Sequence, residues 1–260
     1  MNARLPILLL WCIVGAATCC RSQNSATHQT VFSGGLGAQV GVGYLAIRDE
    51  HISEEKYAGS SVCGAVQWSR FHETFGYRIW MNYLKASEIK NNNISAEVTQ
   101  GTFDLVYLYP AWKWDVFGKE LFAYLGPSTE AFMYYRKQNI ALNPDANPDI
   151  YQSGAWLLSL GARIEVVLPL KGGFDLESAL QVSLLSLGGG TGNTANSSTP
   201  ITLLTVFAAL RGTWDIGLRY SLLTSFSIAT GYRLEVTRIS SWNDILSGTD
   251  NVYASLGYHF

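Results

Sequence analysis

Residues 204–221 read LTVFAALRGTWDIGLRYS, and charged side chains stand on only one of the two faces that this stretch would present as a strand. The first face carries Leu204, Val206, Ala208, Leu210, Gly212, Trp214, Ile216, Leu218 and Tyr220. The second carries Thr205, Phe207, Ala209, Arg211, Thr213, Asp215, Gly217, Arg219 and Ser221. So long an alternation predicts a strand that separates lipid from a polar lumen.

The same period of two returns along most of the chain, so the strands form a series. No run of about 18 apolar residues follows the first twenty positions, which excludes a membrane-spanning helix there. Eight strands remain an alternative to ten, because the first pair has the weakest pattern. The ten predicted strands cover residues 35–48, 57–71, 74–89, 100–114, 119–136, 152–169, 172–186, 202–221, 225–239 and 250–260.

The links between these strands alternate in length. Short links fall near 72–74, 115–118, 170–171 and 222–224, and longer polar links fall at 49–56, 90–99, 137–151, 187–201 and 240–249. Membrane barrels have short periplasmic turns and longer outside loops. We therefore predict an all-β fold, a closed antiparallel transmembrane β-barrel, with both ends of the mature chain in the periplasm.

The composition is typical of a protein whose surface contacts lipid, and it argues against nucleic acid as a partner. Charged residues make up 15% of the chain, against about a quarter in soluble domains. Aromatic residues reach 13%, with 8 Trp, 14 Tyr and 11 Phe. A formal net charge of −2 offers no basic surface for a phosphate backbone, so we expect no nucleic acid as a partner.

The last strand ends the chain on an aromatic residue, because residues 252–260 read VYASLGYHF. In this the sequence resembles bacterial outer-membrane proteins, whose terminal strand ends on Phe behind alternating apolar residues. The resemblance implies that Leu256, Tyr258 and Phe260 form an assembly signal read by the barrel assembly machinery. The size and the loop plan are similar to the outer-membrane protein W family and to the transmembrane domain of outer-membrane protein A, both of which have eight strands.

The first residues have the features of an export signal. Arg4 supplies a positive charge, and an apolar run extends from Leu5 to Ala17. We predict a signal peptide over 1–20, a periplasmic segment over 21–34 and the barrel over 35–260. The alternative processing is lipidation at Cys19 or Cys20. Either route delivers the chain to the outer membrane, with lipid as its surroundings.

The predicted lumen carries charges of both signs in nearly equal number. Charges enclosed in a narrow interior must be paired and hydrogen-bonded, so we expect a salt-bridge network, with a gate or a proton-linked constriction as the alternative. Phe122, Tyr124, Phe132 and Phe207 also project inward and occupy space. The predicted lumen charges are Arg78, Arg136, Arg163, Arg211, Arg219, Arg233, Asp104, Glu130, Glu165, Asp175, Glu177, Asp215 and Glu235.

These features predict a monomeric barrel with a narrow or plugged lumen. The first hypothesis for its function is restricted passage of a small or apolar ligand, and the second is an adhesin or structural barrel that acts through its outer loops. Cys63 is the only cysteine beyond the leader, and we expect a free thiol there. No cofactor or metal site is expected.

A hydrolase at the outer rim is the third hypothesis, and we expect no enzyme. Ten strands make the chain similar to the omptin proteases, which use paired aspartates and an Asp/His pair at the rim. Asp49 and His51 match the spacing of the Asp/His pair, but the sequence contains no Asp-x-Asp. Half of that catalytic constellation is therefore missing, and no catalytic residue is predicted.

Overall fold

The computed structural model describes residues 34–49, 53–72, 74–91, 94–116, 118–138, 152–192, 202–205, 208–240 and 245–260. A short 3₁₀ helix, Lys171–Gly173, joins two of the strands. Within the described ranges, no helix is long and apolar enough to cross a membrane. The strand segments are β1 Gly35–Asp49, β2 Ser53–Phe71, β3 Gly76–Asn91, β4 Ile94–Val116, β5 Lys119–Gln138, β6 Gln152–Pro169, β7 Phe174–Gly192, β8 Thr202–Thr205, β9 Ala209–Leu223, β10 Phe226–Ile239 and β11 Ile245–His259.

The strands form a closed antiparallel barrel. Each pairs with its neighbour in the chain, and β1 pairs with β11 along its full length, from Gly35 opposite His259 to Asp49 opposite Ile245. β8 and β9 both pair with β7, so together they fill one position in the wall. The barrel thus has ten strand positions, which confirms the predicted fold class and rules out the eight-strand alternative.

The interruption between β8 and β9 corrects the alternation expected over 202–221. Leu203 faces outward with 61% of its surface exposed, whereas Leu204 is 2% exposed and lies in the lumen. Leu204 and Ala209 both face inward although they stand five residues apart, because the strand is interrupted between β8 and β9. An odd number of residues across such an irregularity turns the side chains on one side of it to the opposite face. The prediction that Leu204 shares a face with Leu210 is therefore wrong.

The connections at one end are shorter than predicted, because the strands run further. The expected loops over 49–56 and 90–99 shrink to residues 50–52 and 92–93. Two long connections, 139–151 and 193–201, remain at this end, whereas the opposite end has only short turns such as 117–118 and 224–225. Because membrane barrels have short turns on the periplasmic side, the end that carries the long connections is the outer one.

The outer surface of the wall carries an apolar band between two sets of aromatic side chains. Near the short turns, ring pairs lie on the outside of the barrel, with centroids 5.2 Å apart for Trp68 and Tyr77 and 4.6 Å apart for Phe174 and Tyr220. Towards the outer end, tyrosines are exposed at the upper edge of the band, for example Tyr83. Such aromatic girdles mark the two interfaces of a membrane barrel.

The strands are longer than the membrane requires. A tilted strand crosses a bilayer in about 9–11 residues, whereas those here run from 14 to 23 residues, β8 excepted. The surplus lies beyond the upper tyrosines, where outward side chains become charged and exposed, as at Arg48, Lys56, Lys137 and Arg238. The wall therefore projects past the membrane on its outer side.

Candidate functional site

The interior of the barrel is divided into three zones along its axis. The first is a cavity at the periplasmic end, lined by residues such as Gln39, Gln67 and Trp80. The second is a charge layer, formed by Arg78, Asp104, Glu130, Arg163, Glu165, Gln181, Arg211, Asp215, Arg233 and Glu235. The third is an outer plug of apolar residues, Leu45, Ile47, Tyr57, Leu84, Ala86, Ile89, Ala96, Val98, Phe132, Tyr134, Ala155, Leu157, Leu204, Ala209, Ile239 and Ile245.

Arg211 is the centre of the charge layer and is 2% exposed. Its guanidinium on β9 donates to Glu130 on β5 and, at 3.1 Å, to Glu235 on β10. It also donates to the Thr102 hydroxyl on β4 at 2.9 Å and stands 4.5 Å from the centre of the Phe132 ring. Because β9 has no wall contact with β4 or β5, Arg211 joins opposite sides of the barrel.

A second set of contacts continues the network towards the periplasm. Arg233 lies 2.8 Å from Asp215 through its Nε. Arg163 Nε and Arg78 Nη1 both donate to one oxygen of Glu165 at 2.6 Å, although β3 and β6 are not neighbours in the wall. These are charge-assisted contacts, and the one between Arg78 and Glu165 crosses the lumen and holds together two strands that share no backbone contact.

Gln181 connects the two halves of the charge layer. Its amide nitrogen donates to Asp104 at 3.1 Å and to Glu130 at 3.2 Å, while its amide oxygen accepts from Arg163 at 3.2 Å. The network is thus continuous from Arg78 to Arg211. Gln181 is a functional residue that sequence reasoning missed, because a glutamine facing inward carries no charge to single it out.

Arg219 makes its own ion pairs nearer the periplasmic rim. It contacts Asp175 at 2.8 Å and Glu177 at 3.0 Å, and these three side chains are more exposed than those of the charge layer. The sequence pattern grouped them with Arg163 and Glu165. The structure places both sets in the lumen, with the Arg219 set closer to the opening.

The outer plug is the main feature that the sequence pattern did not reveal. Leu45 and Ile47 on β1, and Leu84 and Ala86 on β3, face inward, into a lumen that was predicted to be polar. Arg136 lies among them, 0% exposed, with its guanidinium 4.1 Å from the centre of the Tyr57 ring. Below the upper tyrosines the outer face is apolar, and the lumen holds the charge layer together with a smaller buried apolar cluster of Val106, Leu108, Tyr124 and Val167. Above the tyrosines the outward side chains are charged and the inward ones are apolar.

A sequence signal for the plug exists at the outer ends of the strands. There the alternation disappears on some strands because both faces become apolar, as in Leu45-Ala46-Ile47. Such runs are typical of a buried strand in a water-soluble core. These runs lie next to the long connections, away from the centre of the apolar band. That position would have distinguished them from strand segments that contact lipid.

The remaining predicted residues lie outside the charge layer. Leu256, Tyr258 and Phe260 face outward at the lower aromatic girdle, where the Tyr258 ring lies 5.2 Å from that of Phe226. His51 and Phe207 lie outside the described residues. In the part of the chain that the structure describes, no group of three or more His, Cys, Asp or Glu is placed to hold a metal ion.

The fold of this chain is similar to the folds of several known outer-membrane proteins. The outer-membrane protease OmpT from Escherichia coli matches with a TM-score of 0.50 at 9% identity, covering 89% of this chain and 99% of that one. The translocator domain of the autotransporter NalP from Neisseria meningitidis matches with a TM-score of 0.46 at 12% identity, covering 99% and 96%. The transport unit of the autotransporter AIDA-I from Escherichia coli matches with a TM-score of 0.38 at 9% identity, covering 96% and 97%.

No family model matches the sequence, and no curated protein matches it. The chain therefore has the fold of bacterial outer-membrane β-barrels without a sequence relationship that would narrow it further. At identities this low the likeness describes the wall of the barrel and says nothing of what the wall encloses or displays.

Proposed function

We propose that this chain is an integral outer-membrane barrel with a plugged lumen, which serves as a rigid scaffold for the segments at its outer end. This is the adhesin or structural role that the sequence left as its second hypothesis. One observation carries the proposal: the outer half of the lumen is filled by side chains such as Phe132, Leu157 and Leu204, each 2% exposed or less. A solute from outside meets this plug first and the charge layer behind it.

The outer-membrane location rests on the wall itself. Leu36, Val40 and Val42 on β1 are more than half exposed, as are Val252 and Leu256 on the neighbouring β11. Contiguous apolar patches of this kind are rare on proteins that remain in water. The predicted signal peptide lies outside the described residues, and its removal, the monomeric state and recognition of the last strand by the assembly machinery remain predictions.

The size of the barrel supports a closed lumen. About eight strands leave a bore that side chains can fill, whereas general porins need about sixteen to eighteen. Here ten positions enclose six inward arginines together with the outer plug. Paired charges at the centre of the bore would also have to separate before a solute could pass, at a cost of several kcal/mol for each unpaired ion.

The purified full chain is expected to show no porin-like conductance in planar bilayers, because the plug and the charge layer block the lumen in series. Single-channel recording over a range of voltages measures this. An established open porin, inserted by the same procedure, is the positive control. Steady openings of porin size from the folded chain would contradict the proposal.

An epitope tag inserted within 193–201 is expected to bind antibody on intact cells, because this connection leaves the projecting outer end of the wall. The same tag inserted into the turn at 170–173 is the matched control, and it should bind only after the outer membrane has been permeabilised. Flow cytometry gives both readings. Equal labelling of the two insertions on intact cells would refute the assigned orientation.

Restricted passage of a small molecule is the second candidate, and the periplasmic cavity favours it. The cavity gives solutes access to the lumen from one side, as far as Trp80 and Arg78. Solute uptake into liposomes that contain the barrel distinguishes this candidate from a closed scaffold. The resemblance in fold to a protease leaves the absence of enzymatic activity as a prediction.

A further inference from the structure

The periplasmic cavity has a defined shape and position. It has a volume of about 130 Å³ and reaches the periplasmic rim, where Gly35, Gly257 and His259 line it. A second cavity of about 70 Å³ lies deeper, against the charge layer. The two cavities are adjacent, since both are lined by Gln67, Arg78, Trp80, Glu177 and Tyr253.

The charged groups on the cavity wall already have partners. Arg78 is bound to Glu165 at 2.6 Å, and Arg219 is bound to both Asp175 and Glu177. A ligand with a net charge would have to compete with these ion pairs in a partly desolvated space, which is costly. The wall is therefore poorly suited to a phosphate, a carboxylate or an amine.

The neutral polar groups offer unused hydrogen-bonding capacity. The Trp80 ring lines both cavities, while its indole N–H is covered by neighbouring atoms. The carboxamides of Gln39 and Gln67 and the hydroxyls of Ser69 and Ser255 also line the cavity. A carboxamide both donates and accepts, and so does a hydroxyl, so this set matches a ligand that carries several hydroxyl groups.

The volume limits the size of such a ligand. A buried water needs roughly 10–15 Å³ on this scale, so the first cavity has room for about ten non-hydrogen atoms. By the same measure the deeper cavity adds about five. The combined space corresponds to a molecule of monosaccharide size.

We propose that this cavity binds a small neutral polyhydroxylated molecule, a sugar of monosaccharide size, taken from the periplasmic side. The carboxamides of Gln39 and Gln67 would hydrogen-bond its hydroxyl groups. The charge layer forms the floor of the site. This inference is independent of the outer plug, because it concerns the opposite end of the lumen.

Binding is tested on the full chain, folded in detergent micelles, with glucose and N-acetylglucosamine as neutral probes. Isothermal titration calorimetry and tryptophan fluorescence, to which Trp80 contributes, are expected to show saturable binding. Glucose 6-phosphate and glucosamine are the charged probes, and we expect them to bind at least about tenfold more weakly. Failure of both neutral probes to saturate, or tighter binding of the charged probes, would overturn the proposal.

Substitution locates the binding site. Gln67→Leu removes a carboxamide from the wall and is expected to weaken binding about tenfold, which is the effect of one lost hydrogen bond. Gln152→Leu, at an exposed position on β6, is the matched control and should bind as the parent does. Gln39→Leu provides a second variant, and migration on unboiled gels establishes that each variant is folded. Unchanged affinity in both folded cavity variants would also overturn the proposal.

Discussion

Replacing Arg211 with methionine is expected to lower the free energy of unfolding by about 3–5 kcal/mol. Methionine keeps most of the aliphatic volume but leaves Glu130 and Glu235 without their shared guanidinium in the middle of the lumen. It also removes the contact with Phe132, through which the charge layer meets the outer plug. Urea titration of the barrel refolded into lipid vesicles, followed by tryptophan fluorescence and by gel migration, measures the change.

Two further variants show whether the effect comes from buried charge. Arg238→Met removes an exposed arginine from the outward face of β10 and should change stability by less than about 1 kcal/mol. Adding Glu130→Gln and Glu235→Gln to Arg211→Met should recover part of the loss, since neutral carboxamides tolerate the absence of a cation better than carboxylates do. A loss in Arg238→Met equal to that in Arg211→Met would contradict the central role of the charge layer.

Leu157→Ala is expected to destabilise the barrel by about 2–5 kcal/mol, because it opens a cavity in the outer plug. Leu157 is 1% exposed on the inner side of β6, whereas the next residue, Leu158, is 51% exposed on the outer side. Leu158→Ala is therefore the matched control, with the same atoms deleted one position along the chain. Lipid can fill the space outside, so its loss should be closer to about 1 kcal/mol.

The difference between these two variants tests whether the plug is packed as a core. Urea unfolding in vesicles of one lipid composition gives both values on the same scale. Equal losses for the two alanine variants would mean that the outer half of the lumen is loosely filled, and the proposed closed scaffold would lose its main support.

The order of strands could be predicted from the sequence because it depends on local alternation. Arg211, Asp215 and Arg219 follow one another at intervals of four residues, and this even spacing alone places them on one face of a strand. The same reasoning failed at Leu204, since the bulge-like interruption between β8 and β9 changes which side a residue occupies. A bulge depends on how two strands fit together, and neither strand shows it by itself.

The partners of the lumen charges could not be predicted. Arg211 contacts Glu130, which lies 81 residues away in the sequence and on a strand that is not its neighbour. Which inward side chains meet depends on strand tilt and stagger around the whole barrel. Balanced numbers of charges indicated a network, but only the closed geometry shows that Gln181 joins its two halves and that Arg136 lies over the Tyr57 ring among the plug residues.

The pairing of β1 with β11 has a consequence for how the barrel forms. The backbone N–H of Tyr44 donates to the Asp250 carboxylate at 3.0 Å across a sequence separation of 206 residues, near the middle of this seam. Contacts between such distant segments form slowly, because the entropy of a very large chain loop must be lost first. Until β1 and β11 have paired, the edges of these two long strands can pair with other chains. The lifetime of that open-edged intermediate, more than the stability of the finished barrel, should determine how much of the chain aggregates before it reaches the membrane.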